Sequence, residues 1–255
     1  MFHLSKASKE IEKYCRLLAS KHELVAVCEN KYLMYKHFEG KIDVPQFYLV
    51  KTMAELVKAA EKLGYPEKDV VFKPPEGKGA RGVRVLTEKS DRYDLLFNGR
   101  PFAKYISMDE LKSTVGKKEI PELMVMEYLE GVELKIDPVL QNGEMLTCSV
   151  KNRLNFASGL AMGFEMIDDN EAINYARSLL KHLPMDYCID ISTRGGVLME
   201  INPRVSTYIY SENYCAPYLA LKLAMEEMSA DEIKDYQTKL PIGKKMFRYY
   251  GQIDY

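Results

Sequence analysis

The chain has 255 residues, 47% of them apolar, enough for a substantial core in one large domain or two small lobes. Lysine plus arginine (36) balances aspartate plus glutamate (37), so no global field favours nucleic acid or an acidic membrane, and any anion must be held by a local site. Cys15, Cys28, Cys148, Cys188 and Cys215 are scattered without a C-x-x-C pair, and no window approaches the ~18 apolar residues of a membrane span, so a reduced, cytoplasmic chain with neither zinc centre nor anchor is expected.

Ile11, Tyr14, Cys15 and Leu18 follow the i, i+3, i+4, i+7 period and predict an amphipathic opening helix. "ELVAV" (23–27) reads as a buried strand, "ENKYLMYKHFEG" as a helix ending at Gly40, and "VPQFYLV" as a strand. Thr52 and Glu55 form a capping box before "MAELVKAAEKLGY", a helix that Gly64 stops. Residues 70–74 and 83–86 are expected strands flanking a glycine loop. The polar stretch 88–121, punctuated by Asn98-Gly99 and Pro101, reads as a join between lobes with one short helix from Ser107. Beyond Pro121 the pattern turns strand-rich: "LMVMEYL", then "ELKIDPVL" and "EMLTCSVKN" joined at Asn142-Gly143. A helix at 170–182, a second hairpin "YCIDISTRGGVLMEINP", a helical tail over 216–235 and a last strand in "KKMFRYYGQ" complete the expectation.

The loop in "VVFKPPEGKGARGVRVL" carries G-x-G-x-x-G at Gly77, Gly79 and Gly82. A dinucleotide site needs a helix after these glycines to carry the pyrophosphate, but "VRVL" follows, alternating and β-branched. No Gly-Lys-Ser/Thr closes a Walker loop, and neither "HRD" nor "DFG" supports a kinase. What remains is a strand-turn-strand flap whose backbone N–H groups approach phosphate closely. Lys73 interrupts an apolar run just before Pro74-Pro75, where its cation faces whatever the flap covers; the alternative is a strand lysine pointing to solvent. Lys78 and Arg81 are either phosphate donors or solvated loop charges.

In "IDISTRGGVLMEINPR", a turn centred on Arg194-Gly195-Gly196 sets Asp190 opposite Glu200, with Asn202 two residues on along the same face. Paired carboxylates repel unless a cation or proton lies between them, and Mg²⁺ takes such oxygen ligands. Arg204 adds a guanidinium beyond the strand; the alternative is a surface pair with a capping asparagine. Glu133, Lys135 and Asp137 share one face, as a solvated salt-bridge row or a polar pocket wall.

The lysine strand, the flap, "MVMEYLEGVELKID" and "DIS…MEINPR", in this order, resemble the ATP-grasp superfamily, especially its carbamoyl-phosphate-synthase-like and biotin-carboxylase-like ligases, over residues 24 to 250. The resemblance implies an α+β fold in which two α/β lobes with mainly antiparallel sheets close on ATP. It implies a pre-ATP-grasp remnant at 1–30, a small lobe at 31–121 and a large lobe at 122–255. Carried over position by position, Lys31 and Lys73 resemble the phosphate lysines, with Gly77, Gly79 and Gly82 forming the flap. Glu127, Tyr128 and Leu129 resemble the adenine hinge, and Glu133 the acid that holds the ribose hydroxyls. Asp190, Glu200 and Asn202 resemble the ligands of Mg²⁺ or Mn²⁺, Arg204 the arginine facing the transferring phosphoryl group, and Arg153 a further phosphate-side arginine.

The implied activity is ligation of a small-molecule carboxylate to an amine through an acyl phosphate. Before Lys31 the chain offers only an opening helix and one strand where the family usually has a complete α/β domain. The alternative is therefore an ATP-binding subunit whose partner chain supplies the acceptor site. A homodimer is the other expected assembly.

Overall fold

The computed structural model describes residues 1–77, 79, 81–91, 93, 104–157, 160–207, 210–211, 213–247 and 249; Lys78, Asn98-Gly99 and Pro101 lie outside the described residues. The chain forms two compact units, residues 44–130 and residues 1–43 with 131–255.

The first unit is a five-stranded sheet whose core is shared, among the described residues, with the helices Met53–Lys62 and Met108–Val115. Its strands are β1 (Phe47–Val50), β2 (Val70–Lys73), β3 (Arg84–Leu86), β4 (Tyr105–Ile106) and β5 (Leu123–Glu127), in the order β1-β5-β2-β3-β4. All neighbours are antiparallel except β3 and β4. The expected capping box starts its first helix, Met53–Lys62, with Glu55 N–H donating to Thr52 and Thr52 N–H to Glu55. A second helix, Met108–Val115, is capped by Ser107 as expected. Leu56, Ala60, Val70, Phe72, Leu111 and Val125 meet in one core between sheet and helices. The polar stretch after residue 88 belongs to this unit, because β4 and the second helix join its sheet and core, and β5 lies between β1 and β2. The unit therefore ends at 130 rather than at the expected boundary of 121.

The second unit is built on a seven-stranded antiparallel sheet in the order β11-β10-β6-β7-β8-β14, with β9 paired to β6. These strands are β6 (Glu133–Gln141), β7 (Glu144–Ala157), β8 (Leu160–Ile167), β9 (Tyr187–Cys188), β10 (Asp190–Arg194), β11 (Val197–Asn202) and β14 (Lys245–Phe247). A two-stranded ribbon pairs Tyr210–Ser211 with Tyr214–Cys215. The Asn142-Gly143 turn forms as expected, with φ of 50° and 82°, the mirror-image turn that matches strand twist. The expected helix at 170–182 forms over Asn170–His182, capped by Asp169.

Three expectations are corrected in this unit. The opening helix is two short pieces, Phe2–Lys6 and Ser8–Ile11, and Tyr14 is 89% exposed. Residues beyond Ile11 are instead tied to distant parts of the chain: Arg16 donates to the Ala224 carbonyl, and Asp186 N–H donates to Ser20 at 2.9 Å. "ELVAV" is not a strand but part of a helix, His22–Glu29, burying Val25 and Cys28 at i, i+3. A five-residue apolar run does not by itself distinguish strand from buried helix. The tail breaks into Ala216–Ala224 and Ala230–Lys234, because Glu226 turns to φ 59° and Ser229 with Glu232 starts a new capping box.

Among the described residues, no helix is long and apolar enough to cross a membrane. The helix Lys31–Phe38 packs Tyr35 fully buried, its hydroxyl donating to the carbonyls of Met199 (2.7 Å) and Leu198 (3.2 Å) on β11. Tyr35→Phe, which leaves these carbonyls without their donor, is expected to lower stability by ~1–2 kcal/mol in urea unfolding.

Candidate functional site

A pleated strand sends alternate side chains to one face, so Glu133, Lys135 and Asp137 of β6 project together. Register places Lys135 opposite Ser192 of β10 on one side and Lys151 of β7 on the other, and Glu133 opposite Arg194. On β11, Asn202 lies opposite Asp190 and Glu200 opposite Ser192. This corrects the expected Asp190–Glu200 pairing. The turn is the two-residue Gly195-Gly196, with φ of 56° and 81°, and a bulge follows where the register shifts past Met199. The extra residue lets Leu198 go to the core, 0% exposed, while Glu200 turns to the polar face.

Four carboxylates on this face meet five cations. Asp190 accepts from Lys135 Nζ at 2.9 and 3.1 Å and from Arg204 at 3.3 Å. Glu133 is held by Arg153 through one oxygen and by Arg194, at 2.7 Å, through the other. Asp137 lies 2.8 Å from the ammonium of Lys151, which is 0% exposed and also donates to the Thr207 carbonyl at 2.7 Å. Burial pushes the Asp137 carboxyl above its ordinary range, against the pull of Lys151. Glu200 accepts from Asn202 at 3.1 Å, and its Oε1 lies 3.9 Å from Lys135 Nζ. Its side chain is 38% exposed against 2% for Asp190, so Glu200 is the more accessible of the two to a ligand.

The 44–130 unit carries the other expected residues. Lys73 ends β2 and is buried, which removes the solvent-pointing alternative. Gly77, Gly79 and Gly82 all have positive φ, and a Cβ at Gly82 would meet the Pro74 ring at 2.8 Å, so this turn requires glycine there. Glu127 closes β5 by exchanging bonds with Gln46: its N–H donates to the Gln46 carbonyl and its carboxylate accepts from Gln46 N–H, both at 3.1 Å. Tyr128 and Leu129 follow outside the strand. A cavity of 470 Å³ lined by Gln46, Lys62, Asp69, Glu127 and Tyr128 lies at this end of β2, ~10 Å along the strand from Lys73.

A family model described as ATP-grasp in the biosynthetic pathway with Ter operon matches residues 119–243. A carbamoyl phosphate synthase large chain from Methanobrevibacter smithii is 24% identical over 238 residues, 88% of this chain but 22% of that one. The fold matches an L-amino acid ligase from Bacillus licheniformis with TM-score 0.62 and 18% identity, over 91% of this chain and 55% of that one. It also matches a carboxyaminoimidazole ribonucleotide synthase from Aspergillus clavatus complexed with ATP, with TM-score 0.59 and 15% identity, over 93% of this chain and 58% of that one. Residues 119–243 carry the ATP-grasp family match, and the fold of the chain is the ATP-grasp fold. It spans about a fifth of the curated relative and little more than half of each solved neighbour.

Within this fold, the larger unit brings Glu133, Arg153, Asp190, Glu200, Asn202 and Arg204 to one sheet face. Lys31 belongs to the same unit at the first turn of its helix, where Asn30 caps the Leu33 N–H at 3.1 Å. Lys135, Lys151, Ser192 and Arg194 complete the face and were not anticipated as site residues. For Lys135 and Lys151 the signal was charge at alternate positions, Glu133-Lys135-Asp137 and Lys151-Arg153. The oxygen donors Asp190, Glu200 and Asn202 are chemically suited to a hard divalent ion. Their geometry does not fit one as it stands, because the Lys135 ammonium lies within 4 Å of both carboxylates. The described residues contain no group of three or more His, Cys, Asp or Glu side chains able to hold a metal. Burial pushes the Cys28 and Cys188 thiols up to about 12, so neither is a nucleophile at neutral pH.

Removing one partner of a buried ion pair strands the other charge, whereas removing both replaces the pair by packing. Lys151→Met is therefore expected to destabilise the chain by ~3–5 kcal/mol, and the Asp137→Leu/Lys151→Met double substitution by much less. Urea unfolding of the wild type, both single variants and the double variant measures the difference.

Proposed function

We propose that the chain is an ATP-dependent ligase that activates a small-molecule carboxylate for attack by an amine in the cytoplasm. A carboxylate oxygen would attack the γ-phosphorus and release ADP; the amine nitrogen would then attack the acyl carbon and expel phosphate. The observation that carries this reading is the charged face of Lys135, Arg153, Arg194 and Arg204 with Glu133, Asp190, Glu200 and Asn202, set in an ATP-grasp fold.

Phosphoryl transfer asks a protein mainly for positioning and charge neutralisation. Lys31, Lys73 and the flap backbone at Gly77, Gly79 and Gly82 are assigned to the phosphates, and Glu127, Tyr128 and Leu129 to the base. Glu133 is assigned to the ribose, with both of its oxygens already steadied by arginines. Arg204, half-exposed and anchored on Asp190, is assigned to the transferring phosphoryl group, and Arg153 to a further phosphate contact. Mg²⁺ or Mn²⁺ would travel with the nucleotide as its complex toward Glu200 and Asn202. The neighbour complexed with ATP supports the nucleotide assignment.

ADP release by the purified chain with Mg·ATP, over pools of amino acids and small carboxylates, tests the reaction. Glu200→Ala is expected to lower turnover ~10²-fold, the scale of losing one preorganised charge, and unchanged turnover would overturn the assignment of Glu200. Lys73→Ala is expected to weaken ATP binding about tenfold by calorimetry, the scale of one charged hydrogen bond; equal affinity would place Lys73 outside the site. The second reading, an ATP-binding subunit of a split ligase or part of a larger assembly, is favoured by the chain's coverage of only 22% of its carbamoyl phosphate synthase relative. Tight ATP binding with no ADP release over any pool, restored by a co-purifying partner, would select it.

A further inference from the structure

We propose that Lys135 is the resident cation of the carboxylate face and closes it to free divalent ions, so that a divalent ion reaches Asp190 and Glu200 only in company with a polyphosphate. The first half of this statement stands on the face alone; the second rests on the nucleotide reading above.

Lys135 and Lys151 lie directly opposite each other on β6 and β7, an arrangement that repulsion disfavours unless each ammonium finds its own acid. They do, on opposite sides. Lys151 turns to Asp137 at 2.8 Å, and Lys135 turns to Asp190, with a further bond to Ser192 Oγ. These contacts tie Lys135 to β10 and aim its ammonium into the space bounded by Asp190 and Glu200, the space a bridging ion would use.

The Lys135–Asp190 pair is shielded from water, with side chains 11% and 2% exposed, so salt screens it weakly. Glu133, Asp137, Asp190 and Glu200 are matched by Lys135, Lys151, Arg153, Arg194 and Arg204, four negative charges against five positive. A divalent ion arriving alone would meet a face with no excess negative charge and would sit within a few ångströms of an ammonium. An ion arriving on ATP brings about four negative charges with it, which reverse the balance and offer Lys135 a phosphate in exchange for Asp190.

The test is Mn²⁺ titration of the full chain followed by electron paramagnetic resonance, without nucleotide. The wild type is expected to leave Mn²⁺ free up to ~1 mM, the weak end of oxygen-ligand sites. Lys135→Met is expected to bind Mn²⁺ about tenfold or more tightly, and adding Glu200→Gln to that variant to abolish the gain. Lys135→Gln keeps donors for Asp190 while removing the charge, and provides the same readout if Lys135→Met fails to fold. Tight Mn²⁺ binding by the wild type without nucleotide, or no gain in a folded variant, overturns the assignment. Adding ATP to the wild type is expected to immobilise Mn²⁺ on the protein. Absence of that signal, with the nucleotide-free results as expected, overturns the nucleotide half and leaves Lys135 as the resident cation.

Discussion

Neutrality across one face of a β-sheet is the constraint on which the larger unit depends. Charges placed at every second position of β6 and β7 all project to the same side, and several are removed from water once the sheet forms. An unpaired buried charge is costly, so each acid must find a base on an adjacent strand in a defined register. Glu133 with Arg153 and Arg194, Lys135 with Asp190, and Asp137 with Lys151 meet that demand across three strands. A slip of one residue in any of them would send its charges to the apolar side occupied by Ile136, Val150 and Ile191. The polar face therefore specifies pairing as much as it offers chemistry.

The β10–β11 hairpin shows what local sequence determines and where it stops. The strands, their turn region and the sharing of one face by Asp190, Glu200 and Asn202 follow from alternation and from two adjacent glycines. The cross-strand partner does not, because it depends on the turn's residue count and on the bulge after Leu198. Two adjacent glycines favour the two-residue turn, and the bulge answers a tertiary need: Leu198 must face the core while Glu200 faces the site. The misreading of residues 23–27 has a related cause, since a short apolar run buries itself equally well as helix or strand until its neighbours are known. The strongest local signals, the capping box at Thr52, the Ser107 cap and the Asn142-Gly143 turn, survive because their hydrogen bonds close within four residues.

Candidate site residues were easiest to find where a charged side chain contradicted its surroundings. Lys73 in an apolar strand and Arg204 beyond the metal-like hairpin are of that kind. Lys135 was harder, since a lysine alternating with glutamate and aspartate reads equally well as a solvated ladder. What separates the two cases is burial, and burial depends on which other elements cover the sheet. Val139, on the same strand face as Asp137, packs with Leu219, Ala220 and Leu223 of the Ala216–Ala224 helix. That packing covers β6 two residues from Asp137, and nothing in β6 itself announces the helix ~80 residues later.

The same consideration limits what a shared fold says about chemistry. Backbone similarity at 15–18% identity shows the fold, and with it the strand positions from which side chains project. It does not fix the sign of charge at each position. In this chain β6 contributes acid, base, acid to the face, and the base stands between the Asp190 and Glu200 carboxylates. Lys135 and Arg204 hold Asp190 in place in the folded chain. The electrostatic state that a ligand encounters is set by Lys135 and its neighbours, and it is this balance of paired charges, more than the fold around it, that gives the face its particular chemistry.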